Sequence, residues 1–191
     1  VLFMTSTYFI NPLCLALSPV ALLVVLGYSY TKRFTPLCHL VLGLGLALAP
    51  IGAYLVVTGA FAWTPVFFSL AVLCWVSGFD IIYALQDEAF DKQENLFSIP
   101  AWLGAKKALR VSEILHALAL LWLIMPLFYT TLSWFYLAGL AFFGILLVYQ
   151  HRLVKPTDLS KVDRAFQTTN GIASVIFALC YFLDVWLRSP L

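Results

Sequence analysis

The stretch PVFFSLAVLCWVSGFDIIYALQDEAFD, residues 65–91, is apolar as far as Phe79 and then turns acidic. A membrane-spanning helix needs about 20 predominantly apolar residues. Residues 65–85 meet that need, with one acid, Asp80, close to the end. The same pattern repeats on both sides. Residues 12–30, 36–58, 105–128, 132–150 and 165–187 are further candidate spans, and residues 1–10 resemble the tail of another helix. The composition agrees: 63% of the 191 residues are hydrophobic and 10% are charged. A soluble domain carries about 25% charged residues. The fold class expected is therefore all-α, a polytopic transmembrane helix bundle of one domain.

Local signals place the boundaries. Asn11-Pro12 is a turn and a helix start. Pro19 and Pro50 lie inside spans, where neighbouring groups can satisfy the freed backbone. Gly43, Gly45, Ala47, Ala49, Gly52 and Ala53 make the second span rich in small residues, which permit close helix packing. Cys14, Cys38, Cys74 and Cys180 have no ligand spacing and read as small buried hydrophobes. No basic run with aromatic readers occurs, so nucleic acid is not an expected partner.

With six spans, the connections sort by charge. Lys32, Arg33, Lys92, Lys106, Lys107, Arg110, Arg152, Lys155, Lys161 and Arg164 all emerge at one face; of the eleven basic residues only Arg188 lies opposite. The positive-inside rule makes that face cytoplasmic, with loops at about 86–104 and 151–164. A bacterial inner (plasma) membrane is the expected location.

Five of the nine acids, Asp80, Asp87, Glu88, Asp91 and Glu94, lie at this face. On one continuous helix, Asp87 falls roughly −20° and Asp91 roughly +20° from Asp80. The three aspartates then share a stripe, while Glu88 and Glu94 point elsewhere and read as a solvated helix end pairing with Lys92 or Lys106. Like charges on one stripe repel unless a cation joins them. Lys or Arg would serve, and so would Mg2+, which takes carboxylate and phosphate oxygens. Asp80 lies deepest, and intramembrane acids are functional candidates by default. In Tyr28-Ser-Tyr-Thr-Lys32-Arg33, Tyr28 and Lys32 are one turn apart. This is either a clamp for phosphate oxygens or an interfacial anchor. The charges beside an apolar interior point to a diphosphate with an apolar tail. Among weaker signals, Glu113-x-x-His116 has di-iron half-motif spacing without a second copy and reads as a buried polar pair or a salt bridge to Arg110. His39 reads as structural. Asn170 either reaches the site or caps packing, and Asp184 with Arg188 reads as a structural pair.

Asp80-Ile-Ile-Tyr-Ala-Leu-Gln-Asp87-Glu-Ala-Phe-Asp91 resembles the second Asp-rich motif of the UbiA superfamily of intramembrane aromatic prenyltransferases. Ser98-Ile-Pro-Ala-Trp-Leu-Gly104 resembles the segment that follows it. Tyr28-Ser-Tyr-Thr-Lys32-Arg33, followed by Leu42-Gly43, resembles the family's YxxxK signature. The likeness runs from about residue 11 to 170. It implies nine helices around a central cavity, of which about six to seven lie in this sequence. It also implies Mg2+ on Asp87 and Asp91, an allylic polyprenyl diphosphate held by Lys32 with Arg33 and Tyr28 beside it, and a catalytic Asp80 that orients the metal or the aromatic acceptor. The implied activity is polyprenyl transfer to 4-hydroxybenzoate or a similar aromatic acid in ubiquinone or menaquinone biosynthesis. The family's first Asp-rich motif is expected upstream of residue 1. The sequence thus reads as the C-terminal two-thirds of such an enzyme, not expected to be active alone. Two rivals fit less well. A CDP-alcohol phosphatidyltransferase would need Asp-Gly and Ala-Arg between its acids. A transporter or non-catalytic subunit would need repeats broken at midplane.

Overall fold

A computed structural model describes residues 1–188, and these are helical almost throughout, with no strand among them. The helices are α1 (Leu2–Ile10), α2 (Pro12–Thr31), α3 (Cys38–Thr58), α4 (Trp63–Ala84), α5 (Glu88–Gln93), α6 (Ile99–Leu103), α7 (Ala105–Ile124), α8 (Trp134–Leu153) and α9 (Asn170–Arg188). Six are long and apolar enough to cross a bilayer, as the sequence predicts. α4 belongs to the most buried of the six spanning segments and is the central helix.

Local chemistry sets the ends. The Asn11 carboxamide oxygen caps α2 by accepting from Cys14 N at 2.8 Å, and its nitrogen donates to Leu55 O of α3 at 2.9 Å. Gly59 ends α3 at φ +65°, a left-handed conformation that favours glycine. Pro50 leaves α3 continuous, and next to it the Ile51 N–H donates to Ser69 Oγ of α4 at 3.2 Å. A neighbouring helix thus supplies a partner beside the proline, as the bilayer requires.

Glycines set the spacing around α4. A Cβ on Gly43 would collide with Ser77 Oγ and Leu73 O, and one on Gly78 with the His116 ring. Gly139 meets Cys180 in the same way across α8 and α9. Of the small residues in α3, Gly43 has this role; Gly52 faces open space.

The charged connections gather at one end. Phe97 N donates to Lys32 O at 2.7 Å, and Gln86 Nε2 to Asp163 Oδ1 at 3.3 Å. Ile81, Leu85, Ile99, Leu109, Val154 and Val162 form one buried apolar cluster behind them. At the other end the Asp184 carboxylate is fully buried. It accepts from Ser133 N at 2.8 Å and pairs with Arg188 at 2.5 Å, a structural pair as the sequence indicates.

Candidate functional site

Four segments build the charged end. α2 stops at Thr31 and delivers Lys32; α3 begins one residue before His39; α4 carries Asp80; the turn and short helix beyond carry Asp87 and Asp91. Lys32 Nζ lies 2.7 Å from Asp91 Oδ1. Asp91 is fully buried, and neither of its oxygens has a hydrogen-bond donor, so the Lys32 contact is ionic without hydrogen-bond alignment. A buried carboxylate with one half-exposed counter-ion is under-compensated.

The stripe of three aspartates does not form as drawn on a continuous helix. Residues Leu85–Asp87 make a 3-10 turn between α4 and α5. Such a turn advances about 120° per residue instead of 100°, so everything after it is rotated by roughly 60°. Asp91 turns into the bundle, Asp87 is exposed, and Asp80 is half-buried. Glu88 pairs with Lys92 at 2.6 Å on the surface, as expected for a solvated helix end.

Asp80 has a partner that sequence reading missed. His39, read there as structural, places Nδ1 2.6 Å from Asp80 Oδ2. Its Nε2 accepts from Ile99 N at 3.3 Å. Nothing local in the sequence marks this pair, because 41 residues separate its members.

Of the predicted cationic segment, Lys32 alone meets an acid. Arg33 is exposed and lies over the Tyr30 ring at 5.9 Å, and Tyr28 is exposed. Neither has an acidic partner among the described residues. Glu113 is exposed and does not bond His116. The partner of His116 is instead His151 of α8, at 2.8 Å. The helix turn that aims His116 at α4 and α8 points Glu113 outward.

Two apolar cavities lie behind the acids. The smaller, about 410 Å³, is walled by Leu46, Val76, Phe79 and Asn170. The larger, about 670 Å³, extends toward the uncharged end past Phe68, Phe143, Phe177 and Tyr181. Pro50, Val72, Trp75 and Ser174 border both. No acid lines either cavity; Phe79, next to Asp80, marks where the apolar space meets the charged end. Asn170 lines the smaller cavity and accepts from Trp75 Nε1 at 3.1 Å, a packing contact between α9 and α4. It follows a π-helical turn, Arg164–Thr169, whose Ala165 carbonyl accepts from buried Gln150 at 2.9 Å. Phe166 of that turn stacks on Tyr83, centroids 4.3 Å apart.

Among the described residues no group of three or more His, Cys, Asp or Glu side chains is placed to hold a metal alone. Asp91, with two donor-free oxygens, and exposed Asp87 are nonetheless hard oxygen ligands that fit Mg2+. That ion takes one or two carboxylates and completes its shell with phosphate and water.

A polytopic helical membrane protein with a lysine-paired and a histidine-paired aspartate at one end, and apolar space behind them, is the class that fold and site define. The model of the UbiA prenyltransferase family matches residues 1–181, and the chain belongs to that family. It is 29% identical over 171 residues to a 4-hydroxybenzoate octaprenyltransferase of Francisella tularensis subsp. novicida, covering 90% of this chain and 60% of the relative. A protein of the same name from Aeromonas hydrophila is 32% identical over 175 residues, covering 88% and 58%. The apo structure of a UbiA homolog from Aeropyrum pernix superposes with a TM-score of 0.84 at 30% identity, covering 96% of this chain and 68% of that one. The chain thus spans about 60% of the length of the curated relatives it matches.

Proposed function

We propose that the protein transfers a polyprenyl group from an allylic diphosphate to an aromatic acid, 4-hydroxybenzoate or a close analogue, in quinone biosynthesis, and that it depends on Mg2+. The observation that carries this reading is the Lys32–Asp91 pair, four residues along the chain from Asp87 and at the charged end of an apolar interior. The relatives' names support the substrate classes.

Asp87 and Asp91 would hold the metal. When bound, it supplies Lewis-acid assistance to the departure of diphosphate. Lys32 binds a diphosphate oxygen on leaving Asp91, and exposed Arg33 is within the same segment to assist. Tyr28 borders that site. The carbon–oxygen bond to diphosphate breaks, the allylic carbon bonds to the ring, and the ring loses a proton. Asp80 orients the acceptor. The aromatic walls of the two cavities exclude water and accommodate the tail. The charged end faces the cytoplasm, in keeping with the distribution of Lys and Arg.

The test is prenyl transfer by the full-length protein in proteoliposomes, with Asp87→Ala and Asp91→Ala. Each substitution should lower turnover by roughly 100-fold or more, because the charge stabilising the leaving group is lost. Transfer that survives both substitutions overturns the metal-site assignment.

A further inference from the structure

His39 is bonded at both ring nitrogens, and the two bonds together assign its proton. The Ile99 backbone N–H can only donate, so Nε2, 3.3 Å away, carries the lone pair. The proton of the neutral ring therefore sits on Nδ1 and donates to Asp80 Oδ2 at 2.6 Å. The ring is buried while Asp80 is partly open, its side chain 23% exposed. The other Asp80 oxygen, Oδ1, has no hydrogen-bond partner among the described residues. The His39 main chain is fixed as well, because its carbonyl accepts from Ser77 Oγ of α4 at 3.1 Å. One residue thus links α3, the deepest acid of α4 and the first residue of α6.

We infer that His39 is a positioning residue for the transfer reaction: it holds Asp80 Oδ2 through Nδ1–H and leaves Oδ1 to accept a hydrogen bond from the aromatic acceptor. The inference rests on the function proposed above. A purely structural His39 would matter for tethering α6 through Ile99 and not for its bond to Asp80. Replacements that keep one bond at a time separate these roles. Asparagine sets an amide N–H where Nδ1 stands and is too short to reach Ile99. Glutamine reaches toward Ile99 and offers it an acceptor, but no donor at the Nδ1 position. Leucine keeps neither.

Steady-state transfer by the full-length protein in proteoliposomes, with thermal unfolding of each variant, is the experiment. H39L should lower kcat by roughly 10- to 100-fold, by analogy with the loss of a hydrogen-bond partner that orients a metal ligand. KM for the prenyl diphosphate should stay within about twofold, because Lys32 is untouched. H39N should recover most of kcat, and H39Q should recover thermal stability and not kcat. Unchanged kcat in H39L, or recovery by H39Q equal to that by H39N, overturns the inference.

If the wild-type protein transfers no prenyl group to any aromatic acid, the proposed function fails. The His39–Asp80 bond is then judged by 15N-histidine NMR, with H39L for assignment. A neutral ring protonated at Nδ1, whose Nδ1 resonance moves in D80N, supports it. A ring protonated at Nε2, or no movement in D80N, overturns it.

Discussion

Lys32 and Asp91 pair across two segments with the Asp91 side chain fully buried and the Lys32 side chain 31% exposed. Removing one partner of a buried pair strands the other charge, at a cost of about 3–5 kcal/mol, whereas replacing both by apolar groups of similar size is near neutral. K32M should therefore destabilise the protein by roughly 3 kcal/mol, the low end because Lys32 is partly solvated, and K32M/D91L should recover most of that loss. Thermal unfolding in detergent measures both. If K32M unfolds as the wild type does, the pair is not formed in the membrane protein. A second residue-scale prediction concerns pH outside the spans. Ser160 donates from its hydroxyl and its backbone N–H to Asp158, holding that exposed carboxyl below the usual aspartate value of 3.8. A depressed pKa stabilises the folded turn when the group is charged. The contribution is thus complete at pH 7 and lost as pH falls below that usual value. Hydrogen exchange at Ser160 should be slow at pH 6 relative to D158N, and the two should converge in acid.

At the scale of elements, α4 is held at close range by glycines on its neighbours and its own surface. G43A and G78A should each cost about 1–3 kcal/mol, since a methyl group there meets backbone or a buried ring. G52A meets nothing within 4 Å and should be neutral; unfolding of the three variants side by side is the check. The spans themselves were legible in the sequence because the bilayer leaves a long apolar segment almost no choice but helix. The predicted span 65–85 and the observed Trp63–Ala84 differ by two residues at most. The break after it was not legible. Ala-Leu-Gln-Asp-Glu contains no glycine or proline to announce a 3-10 turn, yet that turn decides which aspartate is buried. Asp80, Asp91 and Lys32 were found from charge in an apolar context, a signal that single residues carry. His39 was not, because a histidine in an apolar run looks the same whether or not a distant partner awaits it.

For the whole molecule, the decisive asymmetry is between the two ends of the bundle. Exposed Lys106, Lys107, Arg110, Arg152, Lys155, Lys161 and Arg164 crowd one end, and the turns at the other end are uncharged apart from the Asp184–Arg188 pair. Moving such a set of cations across the bilayer is opposed during insertion, which is why we propose that the end that keeps them faces the cytoplasm. The six spans also fix a parity: residues 60 and 160 are separated by three of them, so they must lie on opposite sides. Ala60 and Ser160 are both exposed, and three of the four native cysteines are buried. In bacterial cells expressing the full-length protein, A60C should react with a membrane-impermeant maleimide from outside, and S160C only after the cells are opened. The inverse pattern would reverse the orientation and put the candidate site on the wrong side for a cytoplasmic diphosphate. Labelling of both from the same side would break the six-span topology itself, because no odd number of crossings returns the chain to the face it left.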